Sequence, residues 1–99
     1  MITGSQCRAG RALVEVSRAK LAGRASVDAS TIEKFEHNLE QPAPHEIEVI
    51  QGALEELGAV FLRENGGGIG VRLKFTSAEA KQIARLEGEG GIVASDRVP

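Results

Sequence analysis

Few residues of this 99-residue chain combine the types and spacing that metal binding or nucleophilic catalysis requires. His37 and His45 are eight positions apart with no cysteine near them, which does not match a zinc-ligand pattern. Cys7 is the single cysteine, so it cannot form an internal disulfide, and its place beside the apolar side of a predicted helix favours a small buried side chain. We therefore expect no metal, no cofactor and no enzymatic activity.

A glycine-rich run at residues 66–70 is the segment closest in composition to a phosphate-binding loop. It lacks the Gly-Lys-Ser/Thr ending of a P-loop, and Val71 occupies the position of the last glycine in a dinucleotide-binding fingerprint. We interpret the run as the turn of a β-hairpin.

The charged residues are distributed unevenly along the chain, whose formal net charge is −2. Residues 1–38 carry a net charge of +2, residues 39–65 of −5 and residues 66–99 of +1. The total excludes a protein that binds nucleic acid through bulk positive charge, and 3% aromatic residues exclude base stacking on aromatic rings. The cations within residues 1–38 could contact phosphates or could be ordinary solvated helix charges, and both interpretations stay open. They are Arg8, Arg11, Arg18, Lys20 and Arg24.

Membrane association is not expected from the sequence. No apolar run approaches the roughly 20 residues that span a bilayer. The first six residues lack the basic and apolar regions of a signal peptide. We expect a cytoplasmic protein.

The elements that would position the polar groups begin with a helix after Thr3. Thr3 is a good N-cap, and Gln6 stands at the position of its capping-box partner. Apolar residues then recur at helical spacing, which predicts one buried face. That face consists of Ala9, Ala12, Leu13 and Val16.

Two short helices are predicted within residues 17–37. Ser17 is suited to cap the first and Asp28 the second, with a tight turn at Ser26-Val27 between them. Their apolar sides are Leu21, Ala22 and Ala25, and then Ala29, Ile32 and Phe35. Two helices joined in this way within a small bundle have the helix-turn-helix arrangement, whose second helix can lie in the major groove of DNA.

The remaining elements are a longer helix and a hairpin. Pro44 suits the first turn of the helix, and Gly58 ends it. Its apolar stripe is Ile47, Ile50, Leu54 and Leu57. The pattern then changes to a period of two, which predicts a β-hairpin over residues 59–75. Thr76 and Glu79 form a second capping pattern, which predicts a short helix through about residue 86.

These residues together resemble the XRE, or lambda-repressor-like, helix-turn-helix family. The resemblance covers residues 3–75 and lies in Arg11-Ala12-Leu13, Ser17-Arg18-Ala19-Lys20-Leu21-Ala22, Ala25-Ser26-Val27-Asp28-Ala29-Ser30-Thr31-Ile32, Phe35-Glu36 and Pro42. The segment from Leu57 to Leu73 resembles the tail of a small bacterial subgroup of that family. The implied fold is mainly α: a lambda-repressor-like bundle of four to five helices, followed by a β-hairpin and a short C-terminal helix.

The resemblance implies a sequence-specific regulator of transcription that binds double-stranded DNA in the major groove. By position, Arg11, Arg18 and Lys20 would contact phosphates. The start of the recognition helix would face the bases, and Glu36 would be structural. The base-facing residues would be Asp28, Ala29, Ser30, Thr31 and Lys34.

Two departures from the family pattern keep a second interpretation open. Ser26 stands where the family has glycine, and Lys34 is the single cation on a recognition helix that also carries acidic residues. The alternative is a degenerate helix-turn-helix that binds another regulatory protein and does not read DNA.

We also predict a homodimer, which the family often forms. A small bundle gains stability by oligomerising, and the strand edge of a hairpin can pair with its copy across a two-fold axis. The predicted interface includes Val71, Leu73 and Phe75. The chain would then consist of a DNA-binding domain over residues 1–58, a dimerisation extension over residues 59–88 and a flexible tail over residues 89–99.

Overall fold

The computed structural model describes residues 1–74, which form four helices followed by a two-stranded antiparallel hairpin. The helices are α1 (Gly4–Val14), α2 (Arg18–Ala25), α3 (Ala29–Glu36) and α4 (Pro44–Glu56), and the strands are β1 (Ala59–Leu62) and β2 (Gly70–Leu73). This confirms a mainly helical chain with a hairpin after its helices. Phe75 and the helix predicted after it lie outside the described residues.

The helix starts follow the predicted caps. Thr3 Oγ1 accepts a hydrogen bond from the Gln6 N–H at 3.1 Å, and Gln6 Oε1 accepts one from the Thr3 N–H at 2.9 Å, which completes a capping box. Ser17 Oγ accepts from the Lys20 N–H at 3.0 Å at the start of α2. Pro44 is the first residue of α4, where its missing N–H needs no partner.

Residues 26–28 connect α2 to α3. Ser26 ends α2 in the left-handed conformation, with φ 58° and ψ 43°. A side chain in this conformation costs about 1 kcal/mol, which glycine would avoid. Asp28 occupies the N-cap position of α3, but its side chain makes no capping hydrogen bond. Because the connection is short and Ser26 is left-handed, the chain turns sharply between the two helices.

The buried face of α1 differs from the predicted one. Cys7 and Gly10 are fully covered and Val14 packs against the core, while Val16 reaches the core from beyond the helix end. The predicted residues that are exposed instead are Ala9, Ala12 and Leu13. The prediction of a helix was right, but the prediction of which face is buried was wrong. The buried face of α1 includes small residues, which contribute little to an apolar pattern in the sequence.

Glycines bring α1 close to two other elements. A Cβ on Gly4 would overlap the backbone carbonyl of Phe35 in α3. A Cβ on Gly10 would lie 3.1 Å from the ring of Phe61 in β1. Helix α1 is thus fixed between α3 and the hairpin.

The core lies between the four helices and the first strand. Its largest fully buried side chains include Leu21, Ile32, Phe35, Ile47, Ile50 and Leu54. The predicted stripe of α4 is confirmed, with Leu57 half-buried at its end. Ala29, predicted to belong to the buried side of α3, is exposed because it lies in the first turn, beyond the core.

The hairpin pairs Ala59 with Leu73 and Leu62 with Gly70. Ala59, Phe61 and Val71 reach the core, and Arg72 is exposed on the other face, as a period of two predicts. Ile69, predicted to share the buried face, lies before β2 and is 49% exposed. Among residues 1–74, no helix has the length and apolar character needed to cross a membrane.

Candidate nucleic-acid interface

The exposed face of α3 carries most of the residues predicted to meet DNA. Asp28, Ala29 and Ser30 are exposed, Thr31 is half-buried, and the Lys34 side chain is 53% exposed. The opposite face of the helix is anchored by its buried apolar residues. The leading end of α3 is therefore uncovered by the rest of the described chain.

Four of these residues line one groove. Asp28, Ser30, Thr31 and Lys34 form one wall, and the segment after α3 forms the other, around a volume of about 320 Å³. The residues of the second wall are Glu40, Gln41, Pro42, Ala43 and Glu46. The groove therefore combines two hydroxyls and one ammonium group with a carboxylate-rich rim.

Lys34 forms an ion pair with a carboxylate at the rim of this groove. Its Nζ lies 3.6 Å from Glu40 Oε1, and both side chains are largely exposed. A surface ion pair of this kind contributes at most about 1 kcal/mol, so an incoming phosphate or base can displace it. Glu40 therefore competes with any acceptor that approaches Lys34.

The sequence analysis missed Glu40. It lies six positions after Lys34, beyond the end of α3, and this separation matches no helical spacing. The backbone turn after α3 creates the contact, since the Leu39 N–H donates to the Lys34 carbonyl at 2.8 Å.

The predicted phosphate contacts at Arg11 and Arg18 meet at Glu36. Arg11 Nε donates to Glu36 Oε2 at 2.7 Å and Arg11 Nη2 to Glu36 Oε1 at 2.8 Å, a bidentate pair. Arg11 Nη1 donates to the Val16 carbonyl at 3.2 Å, so all three guanidinium nitrogens have partners inside the protein. We therefore leave Arg11 out of the interface proposed below.

Arg18 is engaged less completely than Arg11. Its Nη2 lies 3.5 Å from Glu36 Oε1, and its side chain is 33% exposed. Its Nε is buried and has no hydrogen-bond partner among the described residues. Arg18 thus holds a charge at the start of α2 that the single carboxylate of Glu36, already bound to Arg11, only partly satisfies.

Glu36 is ionised despite complete burial of its side chain. Burial alone would raise the pKa of Glu36, but hydrogen bonds from Arg11 and Cys7 and the charges of Arg11 and Arg18 lower that pKa below its ordinary value. The hydrogen bond to Glu36 raises the pKa of Arg11, against the effect of burial. The family resemblance implies a structural role for Glu36, and its contacts with Arg11, Arg18 and Cys7 are those of such a role.

Cys7 completes this cluster as a thiol. Its Sγ donates to Glu36 Oε2 at 3.2 Å. Burial and the neighbouring carboxylate raise the pKa of Cys7 far above its ordinary value, so it is not a reactive thiolate. The prediction of a small buried side chain is confirmed.

Lys20 and Ala29 belong neither to the residues that line the groove beside α3 nor to the cluster around Glu36. Lys20 is exposed in the first turn of α2, and Ala29 is exposed at the start of α3. His37 and His45 are both exposed, and residues 1–74 contain no group of three or more side chains arranged to hold a metal ion.

Compared with protein-family models and with curated proteins, the chain matches none.

Proposed function

We propose that this chain is a sequence-specific DNA-binding regulator of transcription that acts in the cytoplasm and recognises the major groove through a helix-turn-helix formed by α2 and α3. The observation that carries the proposal is the uncovered leading end of α3, joined to α2 by a sharp turn over residues 26–28. A recognition helix must present its first residues to base edges. The bundle would be of the lambda-repressor-like kind.

The chemistry of α3 supports base reading of modest strength. The hydroxyls of Ser30 and Thr31 can donate to or accept from base edges, and Lys34 can donate to guanine O6 or N7. Asp28 and Ala29 would flank this contact, as a cytosine-side acceptor and a thymine-methyl contact. One lysine supplies less discrimination than a bidentate arginine would, so affinity would depend on two half-sites being bound together.

Phosphate contacts would come from the start of α2. Lys20 is exposed, and Arg18 has donors that Glu36 does not saturate. Such contacts fix the register of the protein on the duplex without reading sequence. With few of them, binding would have a shallow but measurable dependence on salt.

The experiment begins with selection of bound duplexes from a random-sequence pool, followed by fluorescence anisotropy on a selected duplex and on a scrambled one. Lys34→Ala should weaken binding to the selected duplex by about 1–3 kcal/mol and leave the scrambled duplex little changed. Lys20→Ala, the matched control, should weaken binding to both and lower the salt slope by about one. Glu40→Gln should tighten binding, because it removes the carboxylate that competes for Lys34.

The result that would contradict the proposal is equal loss on both duplexes with Lys34→Ala, or no enrichment of any sequence in the selection. Both outcomes would mean that α3 does not read bases.

A second candidate function is a protein-binding module built on the same scaffold. It is favoured by the carboxylates of Asp28, Glu40 and Glu46 around the α3 groove, which repel phosphates and suit a basic segment of another protein. DNA columns at low salt distinguish the two candidates. Failure of the chain to bind such a column, together with failure of the selection, would favour the module.

A further inference from the structure

The loop between β1 and β2 contains an asparagine followed by a glycine, Asn65-Gly66. Residues 64–68 are all exposed and lie outside the β1–β2 ladder. Among residues 1–74, no hydrogen bond from one backbone group to another restrains this segment. The loop can therefore change its backbone angles at little cost, and water reaches every group in it.

Two hydrogen bonds in the loop involve the side-chain amide of Asn65 and the backbone nitrogen that follows it. The Gly66 N–H donates to Glu64 Oε2 at 3.1 Å. The Gly67 N–H donates to Asn65 Oδ1 at 3.3 Å. In a reaction of the Gly66 nitrogen with the Asn65 amide, the first contact would supply a general base, and the second would stabilise the developing oxyanion.

We propose that Asn65 is a site of spontaneous deamidation, which the Glu64 carboxylate and the Gly67 N–H promote. This inference goes beyond DNA binding and does not depend on it. The Gly66 nitrogen attacks Asn65 Cγ while Glu64 accepts the proton of that nitrogen, and the new N–Cγ bond closes a cyclic imide (a succinimide). The bond from Cγ to Nδ2 then breaks. Nδ2 takes the proton from Glu64 and leaves as ammonia, which restores the carboxylate.

Water completes the reaction by opening the imide. It adds a hydroxyl group to one of the two imide carbonyl carbons and a proton to the nitrogen. Opening at Cγ gives aspartate, and opening at the backbone carbonyl gives isoaspartate, so either product adds one negative charge to a formal net charge of −2. Isoaspartate also lengthens the loop backbone by one carbon. Because the cost of closing a loop depends weakly on its length, we expect the chain to keep its fold.

The surroundings of Gly66 leave the approach to Asn65 open. Gly66 has a φ of 99°, and a Cβ built there would meet no atom within 4 Å. Ring closure therefore requires no movement of a helix or strand. Proximity of two groups that need only local rotation to meet is the condition under which an intramolecular reaction is fast.

Asn38, the other asparagine of the chain, is held differently. It is also exposed, but the next residue is Leu39, whose N–H donates to the Lys34 carbonyl at 2.8 Å. The nitrogen that would have to attack the Asn38 side chain is thus fixed in the turn after α3. Exposure alone does not distinguish the two asparagines, whereas the contacts of the following nitrogen do.

Peptide mapping of the full chain, after incubation in its folded state at physiological pH and temperature, tests the site. Trypsin cuts after Arg63 and Arg72, so it releases Asn65 in a peptide that contains no other asparagine. Liquid chromatography with mass spectrometry should show this peptide converting to an aspartate and an isoaspartate form at least about tenfold faster than Asn38 converts. Asn65→Gln, which cannot close a succinimide, should show no conversion at this position.

Glu64→Gln tests the role of the carboxylate. In the folded chain this variant should convert Asn65 about tenfold more slowly, because it removes the general base. Glu48→Gln is the matched control: it removes the same charge from an exposed position on α4 and should leave the rate unchanged. Circular dichroism checks that both variants keep their helices. Synthetic peptides of residues 64–72, with Glu64 or with Gln in its place, should differ little, since the hairpin no longer holds the loop.

Two results would overturn the proposal. A folded chain that keeps Asn65 intact, whether or not the synthetic peptide converts, would show that the loop does not promote the reaction. Equal rates in the folded wild type and in Glu64→Gln would show that the carboxylate beside the Gly66 N–H takes no part in it.

Discussion

At the scale of single residues, Glu36 holds the most interactions. It binds the guanidinium of Arg11 in a bidentate pair, lies near that of Arg18 and accepts from Cys7. Its carboxylate therefore joins α1, the start of α2 and the end of α3. Removing one partner of such a buried pair leaves a charge without compensation, which is more destabilising than the pair is stabilising.

Glu36→Gln should lower the free energy of unfolding at neutral pH by about 3 kcal/mol. The pKa of Glu36 is lower in the folded state than its ordinary value of 4.5, so its stabilisation is complete above that pH. The stabilisation is lost as the pH falls through the lower, folded-state pKa. Urea unfolding of both proteins across this range should show that the difference between them shrinks in acid.

Glu33→Gln is the matched control for this prediction. Glu33 is exposed on the same helix, so its substitution should change stability by no more than about 0.5 kcal/mol at any pH. A difference between wild type and Glu36→Gln that stays constant from neutral to acidic pH would show that Glu36 stabilises the fold without its charge.

At the scale of elements, α1 positions α3, the proposed recognition helix. Its N-terminal turn lies against the C-terminal turn of α3 so closely that Gly4 has no room for a side chain. The capping box at Thr3 and Gln6 fixes where this turn begins. The orientation of α3 thus depends on α1, which carries none of the residues proposed to read bases.

Gly4→Ala should destabilise the protein by about 3 kcal/mol, because either α1 or the backbone of Phe35 must move. Gly23→Ala provides the contrast. A Cβ at Gly23 meets nothing within 4 Å, so this change in an exposed part of α2 should stabilise the protein by up to about 1 kcal/mol. Thermal unfolding measures both variants, and equal melting temperatures for the two would refute the close contact at Gly4.

At the scale of the whole molecule, the hairpin is joined to the helices by apolar packing and by the hydrogen bonds of one buried side chain. Gln6 Nε2 donates to the Leu62 carbonyl at 3.1 Å and to the Gly70 carbonyl at 2.9 Å. Two-stranded hairpins are marginally stable alone, so this one depends on its contacts with α1. The two Gln6 hydrogen bonds therefore couple the strands to the start of α1.

Gln6→Ala should release the hairpin in part, with a loss of about 1–2 kcal/mol and faster amide exchange in β1 and β2 than in the helices. Thr3→Ala removes the cap of α1 and leaves the hairpin contacts in place. It should lower overall stability by about 1 kcal/mol without selective exchange in the strands. Hydrogen exchange followed by NMR distinguishes the two, and uniform exchange in Gln6→Ala would contradict the role of this contact.

The features that the sequence determined by itself are local. Thr3, Ser17 and Pro44 mark the starts of three helices, and the alternation around Val71 marks a strand, because each signal depends on residues a few positions apart. Such signals need no knowledge of the partner element.

Only the tertiary structure decided which polar groups meet. Arg11 and Glu36 are 25 positions apart, and Lys34 and Glu40 are brought together by a backbone turn. No rule of sequence spacing therefore predicts either pair. The buried face of α1 was likewise decided by neighbours that tolerate only small residues at Gly4 and Gly10. Contacts between distant segments depend on how close the backbones approach, and a linear pattern of apolar residues does not encode that distance.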